Sequence, residues 1–118
     1  MFGAAQPHLP GFEDIEQLVY PDHEPNASIQ ARFEAFHQLN PWVLRELERR
    51  TADCVDNGWT RISIGMLWEL LRYRYGQATR GEDEFRLNNN WRSRYVRLLL
   101  ERHPEWEPLF ETRALRAA

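Results

Sequence analysis

Leu87-Asn88-Asn89-Asn90-Trp91-Arg92-Ser93-Arg94-Tyr95-Val96-Arg97-Leu98-Leu99-Leu100-Glu101-Arg102-His103 reads as a helix whose two sides differ in chemistry. At about 100° per residue from Trp91, the side chains of Trp91, Tyr95, Leu98 and Leu99 share one face. Asn90, Ser93, Arg94, Arg97 and Glu101 gather on the opposite side. An apolar stripe of this kind has to be buried against other elements, so residues 88–102 predict a helical domain with a core on one side and a cationic, amide-rich surface on the other. Asn88 or Asn89 supplies the N-cap, and Pro104 stops the helix.

Upstream, Gln77 to Glu84 is polar, Arg80-Gly81 marks a turn and Glu84 to Leu87 reads as extended. Ser63 caps a third helix through about Tyr73. There Ile64, Met66, Leu67, Trp68, Leu70, Leu71 and Tyr73 occupy most of the circumference, which predicts a central, buried helix ended by Gly76. Its polar stripe is Gly65, Glu69 and Arg72, with Glu69 and Arg72 spaced to pair. Asn40-Pro41 starts a second helix through about Asp56, with Asn40 as cap and Pro41 at the first position. Val43, Leu44, Leu47, Thr51, Cys54 and Val55 form its inner side, Arg45, Glu46 and Arg49 its outer side, and Asn57-Gly58 its left-handed stop. Trp59 to Ile62 reads as a short extended link. Asn26 or Ser28 caps a first helix through about Leu39, with Ile29, Phe33 and Phe36 buried. A last helix over about Glu105 to Leu115 packs Trp106, Leu109, Phe110 and Leu115 on the body.

These elements predict an all-α fold: a compact bundle of about five helices, winged-helix-like, with at most one short two-stranded element. Residues 28–118 form the helical domain. Residues 1–27, with Pro7, Pro10, Pro21 and Pro25, form an acidic arm ordered where Phe12, Ile15, Leu18 and Tyr20 find a surface. The connection from Gly76 to Leu87 is longer than the turn of a standard helix-turn-helix, and no hairpin wing follows Arg102.

A chain of 118 residues, 42% hydrophobic, can bury one core without metal or disulfide. Its lone cysteine, Cys54, forms no internal disulfide, which fits a reducing, cytoplasmic setting. No apolar run approaches the length of a membrane span. All fifteen cations are arginine, so every positive group is a planar fork suited to phosphate or carboxylate. The net charge of −3 is uneven: Glu13, Asp14, Glu16, Asp22 and Glu24 precede the first arginine, and the rest of the chain is mildly basic.

The chemistry worth weighing lies around residue 90. Asn89 and Asn90 bring groups able to bond base edges or phosphates to a helix N-terminus, where free N–H groups already attract anions. Arg92, Arg94 and Arg97 follow, with Arg86 and Arg61 as flanking phosphate partners. These seven residues are the expected nucleic-acid contact set, DNA before RNA. The plain alternative is a solvated face closed by an Arg97–Glu101 pair. No catalytic residues, metal or cofactor are expected. His8, His23, His37 and His103 are scattered without ligand spacing, Cys54 sits on an inner face, Glu82-Asp83-Glu84 reads as a solvated loop, and Glu69 and Glu101 lack a diagnostic spacing. Trp42, Trp59, Trp68, Trp91 and Trp106 are read mainly as core, with Trp42 and Trp59 expected to show an edge; an exposed indole beside arginine would be a stacking or protein-contact site.

The pattern Phe33-x-x-Phe36-His37, Asn40-Pro41, Ser63-Ile64-Gly65-x-x-x-Glu69-x-Leu71-Arg72 and Phe85-Arg86-Leu87-Asn88-Asn89, then Arg94-Tyr95-x-Arg97-Leu98, resembles small helical proteins encoded in phages and prophages, over residues 30–115. That resemblance names no settled activity. It implies a small DNA-associated regulator, or a modulator that binds a host or phage protein. The sequence thus leads to a non-enzymatic nucleic-acid-binding domain, with a protein-interaction module as the competing expectation.

Overall fold

The structure, a computed structural model, describes residues 12–110. Four α-helices make up most of it: α1 (Ile29–Leu39), α2 (Pro41–Asp56), α3 (Ile64–Thr79) and α4 (Trp91–Arg102), with a 3-10 helix at Pro104–Leu109. β-type pairing among the described residues is one parallel bridge between Ile62 and Phe110, where the Ile62 N–H donates to the Leu109 carbonyl at 2.7 Å. The fold is therefore helical, as the periodicity predicts.

Local chemistry explains the helix ends. The Ser28 hydroxyl accepts from the Ala31 N–H at 3.0 Å and starts α1; the Ser63 hydroxyl accepts from the Met66 N–H at 3.3 Å and starts α3. Gly58, at φ +83°, turns the chain away after α2. α2, α3 and α4 pack on one another, α1 lies on α2, and the 3-10 helix lies on α4. Rings then tie α1 to α4: Phe33 meets Tyr95 edge-on at 4.8 Å, and Phe36 lies against Trp91 at 4.5 Å. Such pairs add about 0.5–1.5 kcal/mol each beyond burial, which fixes the rotation of α4 about its axis.

Residues 12–20 are part of this packing. They make one turn, with the Ile15 N–H on the Phe12 carbonyl, and then run extended with Ile15 and Leu18 buried. The Leu18 N–H donates to the Tyr75 hydroxyl at 3.0 Å, and Asp14 and Glu16 pair with Arg49 and Arg45 of α2. Asn40 does not cap α2, as its place before Pro41 suggests. Its fully buried amide holds this segment instead: Oδ1 accepts from the Val19 N–H at 2.8 Å, and Nδ2 donates to the carbonyls of Val19 at 2.7 Å and Phe36 at 2.9 Å.

Other expectations are corrected by packing. Glu46, expected outside, is 1% exposed and faces α3, where the Arg74 Nε donates to it at 2.7 Å and the Arg50 Nε lies 3.5 Å away. Burial raises its carboxyl above the ordinary value, and the two arginines only partly offset that. Gly76 does not end α3. Tyr75, Ala78 and Thr79 are buried around it, and that burial outweighs the roughly 1 kcal/mol a mid-helix glycine costs. The helix closes instead at Arg80, in the left-handed region at φ 54°, with the Gly81 N–H returning to the Gly76 carbonyl at 2.9 Å. α3 is not buried all round, because Leu70 and Tyr73 face away from the core, and Tyr73 is 64% exposed. Ile29 and Val55 are exposed rather than inner, and Trp42 is buried rather than showing an edge. The last helix is a 3-10 turn that buries Trp106 and leads to buried Phe110; Leu115 lies outside the described residues.

Candidate nucleic-acid interface

The start of α4 is built by a turn over residues 88–91. The Asn88 Oδ1 accepts from the Asn90 N–H at 2.8 Å, and its carbonyl accepts from the Trp91 N–H at 3.0 Å. Asn88 is therefore the asparagine spent on local structure. Asn90 occupies the cap position without a side-chain cap bond, and Asn89 and Asn90 are both exposed. Below them Trp91, Tyr95, Val96 and Leu99 are buried and hold the helix by its inner side.

The arginines that follow do not share one face. Arg94 leans toward the start of α1: its Nε donates to the Gln30 Oε1 at 2.8 Å, and its Nη1 to the Asn90 carbonyl at 3.4 Å. Arg92 leans the other way, to the start of α3. Its Nε donates to the Asn89 carbonyl at 3.3 Å, and its Nη1 lies 3.6 Å from where a β-carbon on Gly65 would stand. Any larger residue at position 65 would meet that guanidinium. The two arginines thus diverge from the start of α4, Arg94 toward the start of α1 and Arg92 toward that of α3. Arg61 is exposed on the link just ahead of Ser63, and Arg97 lies one turn along α4 from Ser93 and Arg94.

Among the described residues, Arg61, Arg92, Arg94 and Arg97 make no ion pair, so the Arg97–Glu101 pair of the alternative reading is not formed. They are not alone in this: among the described residues Arg32 and Arg80 make none either, and Arg32 donates to the Pro25 carbonyl at 3.3 Å. Arg45, Arg49, Arg50, Arg72, Arg74 and Arg102 are each within salt-bridge distance of a carboxylate. Arg86 also lacks a carboxylate, but its guanidinium lies over the Tyr20 ring at 4.4 Å, while its backbone N–H donates to the Tyr20 hydroxyl. It belongs to the aromatic anchor of the 80–90 connection more than to the cluster at α4.

A second feature lies at the far end of α4. Arg45, Glu48, Arg49, Arg102, His103 and Trp106 line an open groove of about 400 Å³. His103 stacks on Trp106 at 3.9 Å and lies 2.9 Å from Glu48, which also accepts from Arg102. Burial would raise the Glu48 carboxyl, but these hydrogen bonds outweigh it and hold the group below its ordinary value. The groove's charges are therefore mutually satisfied.

Sequence reasoning missed Gln30 and Gly65. The serine caps at 28 and 63 locate the starts of α1 and α3, but no spacing rule says that two helix starts remote in sequence flank a third. His37, packed against Phe33, has its pKa lowered by burial and by Arg102; burial raises that of the Cys54 thiol. No group of three or more His, Cys, Asp or Glu side chains among the described residues is placed to hold a metal, and no described helix is long and apolar enough to cross a membrane. The chain matches no family model, no curated protein and no solved structure.

Proposed function

We propose that this protein is a small, non-enzymatic nucleic-acid-binding domain that presents the start of α4 to DNA in a winged-helix-like manner. One observation carries the reading: Arg92 and Arg94, without an ion pair among the described residues, extend from the start of α4 toward the starts of α3 and α1. Asn89 and Asn90 stand at the tip, within reach of base edges. Arg92 and Arg94 diverge to the two sides, as groups gripping phosphates on either border of a groove would. The resemblance to phage- and prophage-encoded helical proteins fits a DNA-associated regulator and equally a modulator that binds a host or phage protein.

The test is an anisotropy titration of labelled duplex DNA at two salt concentrations, with wild type and the Arg94→Ala plus Arg97→Ala variant. Removing one arginine from its phosphate lowers the log–log salt slope by about 0.9, so the double variant binds more weakly and its slope is flatter by about 1.8. Circular dichroism and thermal unfolding check the fold, because Arg94 also bonds Gln30 of α1. Equal affinity and slope in the two proteins defeats the assignment.

A second reading, a protein-interaction module, draws on Leu70 and Tyr73, which place apolar surface opposite the core-facing side of α3. Under it, sedimentation depends on protein or partner concentration, Tyr73→Ser removes the dependence, and DNA is not retained.

A further inference from the structure

Four of the five tryptophans have a structural task. Trp42 stacks on Tyr75, Trp68 meets Tyr95 and Phe85, Trp91 lies on Phe36, and Trp106 carries His103; all four are buried. Trp59 differs. It is 46% exposed, and among the described residues no ring or guanidinium packs on its indole.

Its backbone is nevertheless firmly placed. The Gly58 N–H donates to the Val55 carbonyl and the Trp59 N–H to the Cys54 carbonyl, each at 3.0 Å. Three residues on, Ile62 is buried and bridged to Phe110. The indole therefore stands on a short link tied at both ends, so little conformational freedom is lost when something binds it. The same link carries Arg61 and runs into Ser63 and Gly65, where Arg92 arrives. Two residues of chain span at most about 7 Å, so Trp59 and Arg61 belong to one short stretch of the surface.

We propose that Trp59 is a base-stacking platform, and that the nucleic acid taken by this protein offers it an unpaired base from a single-stranded segment, with Arg61 and Arg92 on the neighbouring phosphates. The proposal rests on the nucleic-acid reading above. A flat indole accepts the face of any base, and in a duplex those faces are covered by their neighbours, so a ring displayed in this way suits a strand with unstacked bases.

The experiment follows intrinsic tryptophan emission during titration of the full chain with oligothymidylate of about a dozen nucleotides, a site-sized length. A blunt duplex and the same duplex with a thymidine overhang run in parallel. Trp91 lies at the start of α4, so quenching is assigned to Trp59 by the part of it that Trp59→Phe removes. The single strand and the overhang are expected to quench wild type and the blunt duplex to leave it nearly unchanged. Trp59→Ala is expected to lose about five- to a hundredfold in affinity for the probes with unpaired bases, the range of one base–aromatic stack, and none for the blunt duplex. Trp59→Phe, which keeps a ring, is expected to retain most of that affinity while the quenching disappears.

If the single strand binds with normal salt dependence but without quenching, and Trp59→Ala binds it as well as wild type, the stacking role is overturned and the cationic site stands. If no nucleic acid binds even at low salt, both readings fall. A blue shift of emission on raising protein concentration without oligonucleotide places the indole in a protein contact and overturns the stacking role.

Discussion

Replacing Asn40 by alanine separates two accounts of this residue by magnitude. As a helix cap, an asparagine contributes about 1 kcal/mol. As the structure has it, the amide makes three hydrogen bonds from a fully buried position, two to Val19 and one to the Phe36 carbonyl. Its oxygen faces an N–H and its nitrogen faces two carbonyls, so the amide orientation is set by its partners. At about 1 kcal/mol net for each bond, Asn40→Ala costs about 3 kcal/mol, with more if the stranded backbone groups stay dry. A domain of this size holds about 5–15 kcal/mol in total, so the variant still folds and can be measured. With a urea m-value of about 1.5 kcal/mol/M, the unfolding midpoint falls by about 2 M. Hydrogen exchange reports the location: the amides of Leu18 and Val19 lose protection more than those of α2. Asn40→Asp keeps the acceptor for Val19 but sets a carboxylate against two carbonyls, so it is at least as damaging at neutral pH and partly recovers as the carboxylate is protonated. A loss near 1 kcal/mol, with exchange at Val19 unchanged, refutes the strap and restores the cap.

Gly76→Ala stabilises the protein by about 0.5–1 kcal/mol, since the position is helical and a β-carbon there meets nothing within 4 Å; a lower thermal midpoint refutes the continuous α3. The buried Glu46 carboxyl, raised by desolvation against the opposing pull of Arg74 and Arg50, takes up its proton at higher pH in the folded state than in the unfolded one. Its contribution to stability therefore declines as pH rises through that raised value and is fullest below the ordinary value of 4.5. As pH is lowered toward 4.5, wild type gains stability relative to Glu46→Gln in urea titrations, and a difference independent of pH refutes this sign. Glu48, held low by Arg102 and His103, runs the other way: its contribution is present above the ordinary value and is lost as pH falls below it.

The legible features were those in which local chemistry and global packing agree. Ser28 and Ser63 cap because their hydroxyls reach backbone N–H groups three residues on, a distance the sequence itself defines. Trp91, Tyr95 and Leu99 are buried because their spacing leaves one apolar side. The misread residues are those whose partners are remote. Asn40 has cap chemistry, yet its amide bonds to Val19, a neighbour in space only. Glu46 follows Val43 by three and precedes Leu47, so its position pointed inward while its charge pointed outward, and the deciding partner, Arg74, is on another helix. Gly76 looked like a stop because the burial of Ala78 and Thr79 beyond it depends on tertiary contacts. At the candidate interface the sequence could name Arg92 and Arg94 but not their divergence, nor the seat of Arg86 on Tyr20, since Gln30, Gly65 and Tyr20 are brought beside them only by folding.

A chain with net charge −3 can still present a cationic surface when its acids are committed elsewhere, and the packing of residues 12–20 supplies one way to do this. Asp14 and Glu16 lie on Arg49 and Arg45, while Glu46 and Glu48 of α2 engage Arg50, Arg74 and Arg102. Neutralisation is thereby concentrated on α2 and the far end of α4. Charges are felt over about 8 Å at physiological ionic strength, so a ligand at the start of α4 responds to Arg61, Arg92, Arg94 and Arg97 more than to the total. Residues 12–20 spend Asp14 and Glu16 on Arg49 and Arg45 of α2, while the arginines in the first turns of α4, like Arg32, Arg80 and Arg86, make no ion pair among the described residues.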